Sequence, residues 1–206
     1  VVLSGDIALV GATDYDNIYS NSGAAFLFIK PFTGWETTTT PDAKLTASDP
    51  ASGDYLGGSV ALSGDTALVG AFGTDSGAGS VFTFVKPPGG WVDINENQEI
   101  TAVTAQPNQR FGTATAIEGD TAVIGAFLDD EGGTDSGAAF VFTRSGDNWS
   151  EVAKLTASDA AVDDRLGYSV ALSGDTALVG AFGDDSLNGA AYVFVRPNNG
   201  WADGTE

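Results

Sequence analysis

The chain has 206 residues, of which 42% are hydrophobic, and it carries 28 Asp and Glu residues against eight Lys and Arg residues, a net charge of −20. This charge repels nucleic acids and anionic membrane surfaces, so neither is expected as a partner. Cys, His and Met are absent, which excludes disulfides, thiolate or imidazole zinc sites and the Ser/His/Asp and Cys/His catalytic triads.

No apolar segment approaches the roughly 20 residues of a membrane-spanning helix, so no membrane insertion is expected. Val1 lies inside a patterned segment rather than at a signal peptide, and we therefore expect the chain to be processed or incomplete. The 28 glycines, together with many Val, Thr and Phe residues, are typical of short strands joined by tight turns.

One pattern, Gly-Asp-x-Ala followed by two apolar residues and Gly-Ala, occurs four times along the chain. It starts at Gly5, Gly64, Gly119 and Gly174, so the units repeat every 55 to 59 residues. A repeat of about this length indicates a stacked repeat architecture. The units are placed at residues 1–55, 56–110, 111–165 and 166–206, with the first and last incomplete.

Turn signals divide each unit into four short strands. In the fourth unit the first three strands are predicted at residues 169–172, 176–181 and 190–195, and the fourth strand of a unit is the Lys-Leu-Thr-Ala-Ser segment that begins at Lys44 and Lys154. Gly174 lies where a type II′ hairpin requires positive φ. The prediction is an all-β fold of tandem four-stranded antiparallel blades with almost no helix.

The apolar runs at residues 67–69 and 177–179 are continuous rather than alternating. Continuous runs indicate strands that are covered on both faces, as in the inner strands of stacked sheets. Neighbouring units are therefore expected to pack face to face.

A bulky apolar residue and Gly precede the first strand, as at Phe111-Gly112 and Leu166-Gly167, and Gly-Ala closes the second strand in all four units. These motifs resemble the FG-GAP repeats of integrin α-subunit-type propellers and of bacterial and algal surface proteins, over nearly the whole chain. The resemblance implies β-propeller-like blades in an extracellular or cell-surface protein.

The chain departs from the family pattern at two places. The family carries a calcium loop between the first two strands, which is reduced here to Ser-Gly-Asp, so the family's calcium ligands cannot be transferred. The Pro of the Gly-Ala-Pro signature is replaced by Thr13, Phe72, Phe127 and Phe182.

The repeat is cut at both ends. Only five residues follow Trp201, and the residues before Ser4 align with the end of a first strand. Family propellers commonly have about seven blades, so four units are expected to form an open array rather than a closed ring. Either the chain is part of a longer array, or a neighbour completes it through open sheet edges, as in a filament.

Acidic loops between the second and third strands are the candidate metal sites. Clustered carboxylates in short Gly- and Ser-rich loops favour Ca²⁺ over transition metals, which would need His or Cys. The alternative is that these loops are solvated acidic turns. The candidate ligands are Asp14, Asp16, Asp75, Asp129, Asp130, Asp135, Asp184 and Asp185.

Two other features have a structural and a functional interpretation. One Trp per unit, at Trp35, Trp91, Trp149 and Trp201, favours packing between repeats over sugar binding on an exposed rim. Asn148 begins an Asn-Trp-Ser glycosylation acceptor, expected on a loop.

The regularity of the units favours a non-enzymatic extracellular scaffold for adhesion, a surface layer or a filament, with protein or glycan ligands at the cell surface. The alternative is a propeller lectin or enzyme that binds a small ligand on its loop face. The irregular residues 92–110 are where such a site is expected. The adjacent Asp163 and Asp164 are interpreted as surface charges with Arg165 as an ion-pair partner. Nothing in the sequence sets them at the spacing of glycosidase carboxylates.

Overall fold

Sixteen strands form four sheets in the computed structural model, which describes all residues from Val1 to Glu206. The strands are β1 (Val2–Ser4), β2 (Ile7–Ala12), β3 (Ala24–Ile29), β4 (Ala43–Thr46), β5 (Leu56–Ser63), β6 (Thr66–Ala71), β7 (Ser80–Val85), β8 (Ile94–Asn95), β9 (Gln98–Ile100), β10 (Ala114–Glu118), β11 (Thr121–Ala126), β12 (Ala138–Ser145), β13 (Asn148–Leu155), β14 (Leu166–Ser173), β15 (Thr176–Ala181) and β16 (Ala190–Val195). Two single turns, α1 (Thr74–Gly77) and α2 (Asp184–Leu187), are the helical elements. The prediction of an all-β fold with almost no helix is confirmed.

The strand orders are β1-β2-β3-β4-β8, β5-β6-β7-β9, β10-β11-β12-β13 and β14-β15-β16. All pairings are antiparallel except that of β4 with β8. The second and third strands predicted for the fourth unit coincide with β15 and β16, and the Lys-Leu-Thr segments lie in β4 and β13 as predicted. No closed propeller is seen, so the propeller-like geometry remains a prediction.

Each sheet starts with a tight hairpin whose turn contains glycine. Gly5, Gly64, Gly119 and Gly174 have φ between 55° and 57°. Glycine adopts this left-handed region without the steric cost that a Cβ brings. The positive φ predicted at Gly174 is confirmed.

The Asp of each hairpin turn pairs with a basic residue that lies near the end of the third strand or directly after it. The pairs are Asp6 with Lys30, Asp65 with Lys86, Asp120 with Arg144 and Asp175 with Arg196. In every unit the backbone N–H of that basic residue also donates to the carbonyl of the turn Asp, at 2.7 or 2.8 Å. Half of the eight basic residues therefore have the same structural role.

Neighbouring sheets pack face to face at three seams, which we number in chain order. Each seam contains its own hydrophobic cluster, of 14, 13 and 12 buried residues. Burying apolar area between the sheets is the main source of stability for such units, because a single thin sheet cannot cover its own faces.

The inner strands show how far this coverage extends. Every residue of β6 is buried, as predicted for a strand covered on both faces. The same prediction is wrong for β15, whose residues alternate between exposed and buried. The reason is that β15 has the third sheet on one face and no sheet of residues 1–206 on the other, so Leu178 is 44% exposed whereas the equivalent Leu68 is fully buried.

Candidate functional site

The acidic loop of the third unit is tied to neighbouring strands. The buried Asp129 carboxylate accepts hydrogen bonds from the Gln109 amide and from the Lys154 ammonium, the latter at 2.8 Å. Burial alone would lower the pKa of Lys154, but its hydrogen bonds and charge attraction to Asp129 and Glu131 outweigh burial and raise that pKa. Asp129 and Lys154 therefore form a buried ion pair.

The other two candidate ligands of this loop have hydrogen bonds within the loop and to the segment that follows β13. Asp130 accepts a hydrogen bond from the backbone N–H of Asp135 at 2.8 Å. Asp135 itself has a φ of 53°, and Arg165 donates its backbone N–H to the Asp135 carbonyl. The loop thus has the internal bonding of an acidic turn, in which Asp side chains cap the backbone.

In the fourth unit, the Tyr192 hydroxyl bridges two carboxylates. It donates to buried Asp184 and contacts Asp159 at 2.8 Å. Burial and these two carboxylates raise the pKa of Tyr192, so the phenol stays protonated across the physiological range. Asp185, the second residue of α2, is exposed and has a φ of 48°.

The candidates of the first two units have few contacts. Asp16 accepts a hydrogen bond from the Asn21 N–H at 2.7 Å, and Asp14 and Asp75 are exposed. The structure brings no three acidic side chains into a position to hold a metal ion. Calcium binding through these loops stays a prediction from the sequence.

An acidic cavity of about 620 Å³ opens at the third seam. Five aspartates line it, together with Arg165; they are Asp159, Asp163, Asp164, Asp184 and Asp185. Buried Asp164 accepts the Ala161 N–H at 2.6 Å, as buried Asp54 accepts the Ala51 N–H in the first seam. The cavity is negatively charged, with Arg165 as its basic residue, and it would attract cations rather than anions.

Asp54 shows the electrostatic cost of this arrangement. Burial raises its pKa, the carboxylates of Asp75 and Asp49 add to the increase, and the hydrogen bond from Ala51 opposes it. The corresponding residue in the turn before the third sheet is Gln109, whose amide oxygen accepts the Gln106 N–H at 3.1 Å. The oxygen of a neutral amide can therefore accept the backbone hydrogen bond that closes this turn.

The four Trp residues differ in a regular way. Trp91 and Trp149 are 5% and 4% exposed and belong to the clusters of the first and second seams, and Trp201 packs against the third. The packing interpretation is confirmed for these three. Trp35 is 48% exposed because residues 1–206 place no sheet before the first one.

Asn148 is exposed, but it does not lie on a loop as expected. It is the first residue of β13 and pairs with Ser145 across a two-residue hairpin. The reason is that the third unit joins its last two strands tightly, whereas longer segments make this connection in the first two units. Trp149 is buried directly beside it.

A docking segment after the Trp was missed by sequence reasoning. In the second unit, β8 adds to the edge of the first sheet, where the Asp93 carboxylate accepts the Lys44 N–H at 2.8 Å and Glu96 accepts both the N–H and the hydroxyl of Ser48. Asp203 and Glu206 make the same contacts to Lys154 and Ser158 on the third sheet. The Trp-x-Asp-x-x-Glu spacing, shared by residues 91–96 and 201–206, was the available signal.

This finding also concerns the irregular residues 92–110, where a small-ligand site was expected. They contain β8 and β9, which bond to two different sheets, and the turn before Phe111. Gln98 extends the contact by exchanging hydrogen bonds with the Trp149 backbone, at 2.8 and 3.1 Å. Much of the segment's irregularity is explained by its joining of three sheets.

A row of aromatic and Arg side chains runs along the ends of the inner strands. Phe72, Phe127 and Phe182 occupy the positions that the family signature gives to Pro. Arg110 lies 5.7 Å from the centre of the Phe72 ring and Arg165 lies 5.2 Å from that of Phe182. These distances fit cation–π contacts.

Tyr168 continues the row between Phe127 and Phe182, with ring-centre distances of 5.5 and 4.5 Å. It is 51% exposed, which makes it the most accessible ring of the row. The sequence signal was the recurrence of Phe after Gly-Ala in three units.

The fold and these repeated contacts define a protein of stacked antiparallel sheets in which each unit docks on the previous one. The model of the FG-GAP repeat matches residues 39–84, 94–142 and 149–194, more than half of the chain, and the chain belongs to the FG-GAP repeat family. FG-GAP repeats are typical of extracellular or surface proteins. No match was found among curated proteins. No helix in the structure is long and apolar enough to span a membrane.

Proposed function

We propose that this chain is a non-enzymatic extracellular scaffold that binds protein or glycan ligands at the cell surface. The observation that carries the proposal is the use of all eight basic residues in contacts that recur between units. Four pair with turn aspartates, Lys44 and Lys154 lie on fourth strands, and Arg110 and Arg165 cover Phe rings. Because every basic side chain has such a structural contact, this pattern supports a scaffold rather than an enzyme.

The charge supports the choice of partners. The basic residues are engaged by the fold, so the remaining surface is dominated by carboxylates and the net charge is −20. Such a surface disfavours nucleic acid and anionic lipid and remains compatible with neutral or cationic extracellular ligands. Self-assembly through the open edge of β16 belongs to the same proposal, because the fourth sheet has three strands and an edge strand presents unpaired backbone groups.

Calcium stabilisation is a further part of the proposal, supported by the carboxylate density around the acidic cavity. Melting the chain in millimolar calcium and in chelator tests it. A higher Tm in calcium, absent with magnesium at equal ionic strength, is expected. Equal Tm values in all three conditions would show that the loops are ordinary acidic turns.

The second candidate is a small-ligand or glycan-binding protein, and the exposed row at Tyr168 and Phe182 favours it, because aromatic faces and Arg suit sugar rings. A thermal-shift screen against small oligosaccharides separates the two candidates. A ligand at about 100 times its Kd adds about 2.7 kcal/mol of stability, which is several degrees in Tm for a chain of this size. The scaffold proposal expects contacts with extended polymers and no such shift with a short oligosaccharide, so a shift would favour the second candidate.

A further inference from the structure

The three seams share one set of contacts. In each seam, the segment before a first strand donates three backbone N–H groups to carbonyls of the loop between the second and third strands of the preceding sheet. Each segment contains one apolar residue that is at most 1% exposed, namely Leu56, Phe111 or Leu166. The hydrophobic clusters of the three seams also have similar sizes. A difference between the seams must therefore come from other contacts.

The seams differ along the fourth strand of the earlier sheet. In the first seam, β8 adds to the edge of β4 as a parallel strand. In the third seam, Gly204 donates its N–H to the Lys154 carbonyl and accepts the Thr156 N–H, both at 3.1 Å. The two docking segments, residues 91–96 and 201–206, therefore extend the earlier sheet by backbone hydrogen bonds.

The carboxylates of the docking segments add further hydrogen bonds. In the first seam, Asp93 accepts the Lys44 N–H at 2.8 Å, and Glu96 accepts both the N–H and the hydroxyl of Ser48. The third seam repeats these bonds 110 residues later. Hydrogen bonds to an ionised group are stronger than those between neutral groups. The first and third seams thus have the same additional closure.

The second seam has no docking segment. The third unit joins its last two strands by a tight hairpin, so no strand lies along the edge of β9. The hydrogen bonds here all involve side chains: the Gln98 amide exchanges two with the Trp149 backbone, and Glu151 accepts the Val103 N–H at 2.7 Å. No backbone hydrogen bond joins β9 to β13.

The second sheet also lacks the residues that a docking segment contacts. The Ser of the first and third sheets corresponds to Val103, which has no hydroxyl and is 80% exposed. The Lys of those sheets corresponds to Glu99, whose charge would repel an acidic docking segment. Both partners of the contact are therefore absent at this seam.

The sequence repeats with the same alternation. Residues 59–73 are identical to residues 169–183, and residues 44–49 are identical to residues 154–159, each pair being 110 residues apart. The segment halfway between the first two, residues 114–128, is identical to neither. The repeat is thus a pair of sheets. The first and second sheets form one docked pair, and the third and fourth sheets form the other.

We propose that the second seam is a built-in opening point of the scaffold, at which the second and third sheets separate along their fourth strands while both docked pairs stay closed. Local opening takes place where the hydrogen bonds and buried contacts that must break are fewest, and no backbone pairing has to break here. The motion lets the array bend without unfolding a sheet. The proposal goes beyond the scaffold function, because it assigns a conformational change to one seam.

The test uses the absence of Cys from the chain, so that one introduced thiol reports on one seam. Ala47, Ala102 and Ala157 occupy the same position in the three seams and are 7%, 4% and 6% exposed. Each of the variants Ala47→Cys, Ala102→Cys and Ala157→Cys is reacted with excess DTNB in native buffer. The thiol at position 102 should react about tenfold faster than the other two, or more, although Ala102 is the least exposed of the three.

Loss of the first docking carboxylates should make the first seam behave like the second. Asp93→Ala combined with Glu96→Ala should raise the reaction rate at position 47 about fivefold or more and leave position 157 unchanged. Glu36→Ala is the matched control, because the exposed Glu36 carboxylate bonds to Thr33 within its own loop. It should change neither rate.

Two controls separate opening of a seam from effects of the substitutions. The three thiols should react equally fast in urea, which shows equal intrinsic reactivity. A second set, Ala67→Cys, Ala122→Cys and Ala177→Cys, places the thiol at another shared and fully buried position, and position 122 should again react fastest.

Three outcomes would overturn the proposal. They are equal rates at the three seams in native buffer for both sets of variants, a fastest rate at the first or third seam, and an unchanged rate at position 47 when the carboxylates of Asp93 and Glu96 are removed.

Discussion

The carbonyl oxygen of Gly167 lies where the side chain of any other residue at position 125 would have to be placed. The same relationship joins Gly112 to Gly70 and Gly57 to Gly11. The distance between neighbouring sheets is thus set by backbone against backbone, and the apolar cluster of each seam fills the space beside this contact.

Gly125→Ala is expected to destabilise the chain by about 1–3 kcal/mol, because the third and fourth sheets must separate to admit the methyl group. Gly180→Ala is the matched control and should change stability by less than about 0.5 kcal/mol. Urea unfolding monitored by circular dichroism measures both. Equal effects of the two substitutions would contradict the role of Gly125 in spacing the sheets.

Trp91→Ala is expected to cost about 3–5 kcal/mol, because it empties a buried position of the first seam. Trp35→Ala should cost less than about 1 kcal/mol, since the Trp35 side chain is half exposed. Thermal and urea unfolding of the two variants in parallel gives the comparison. A larger loss for Trp35→Ala would mean that Trp35 has a packing partner.

Lys154→Met is expected to cost about 3–5 kcal/mol, because it leaves the 4% exposed Asp129 carboxylate without its cation. Lys30→Met breaks an exposed pair with Asp6 and should cost at most about 1 kcal/mol. Adding Asp129→Leu to Lys154→Met should restore part of the loss, which a double-mutant cycle measures. Equal costs of the two Lys substitutions would show that burial does not strengthen the pair.

The raised pKa of Lys154 also sets a pH dependence. A Lys whose pKa is higher in the folded chain contributes stability that is complete below its unfolded pKa and is lost as pH rises through the folded pKa. The stability difference between the wild type and Lys154→Met should therefore shrink at strongly alkaline pH. A difference that stays constant there would contradict the assigned pKa direction.

Asp54→Asn is expected to raise the Tm at neutral pH. The pKa of Asp54 is raised on folding, so its ionisation opposes folding once pH exceeds the unfolded value of about 3.9. The Asn amide oxygen can still accept the Ala51 N–H, as the Gln109 amide oxygen accepts the Gln106 N–H in the equivalent turn before the third sheet. The gain should vanish as pH falls below that value.

Asp147→Asn, in an exposed hairpin turn, is the control and should leave the Tm at pH 7 unchanged. A Tm for Asp54→Asn at or below that of the wild type at pH 7 would show that the carboxylate is needed in its turn.

The sequence predicted the strands well, because fourfold recurrence places the same turn and the same Gly-Ala strand end in every unit. Predicting the hairpin at Gly174 and the limits of β15 and β16 required only the local sequence pattern. The coverage of β15 could not be read in this way, because whether Leu178 is buried depends on what lies beyond the fourth sheet, not on its own sequence.

The candidate site was predicted less completely. The aspartates were placed in the correct loops, but the partners of Asp129 and Asp184 come from elements up to 25 residues away. Spacing within a loop does not contain that information. The two-residue strand β8 was missed for a similar reason, since its pairing with Leu45 and Thr46 crosses a unit boundary.

Retention of beads coated with the chain on an array of immobilised extracellular proteins and polysaccharides tests the scaffold proposal most directly. Beads should be retained on particular protein or polysaccharide features, free chain should compete, and the retained polymer should be chemically unchanged. Release of cleaved product from the array, or no retention on any feature, would contradict a non-enzymatic binding scaffold.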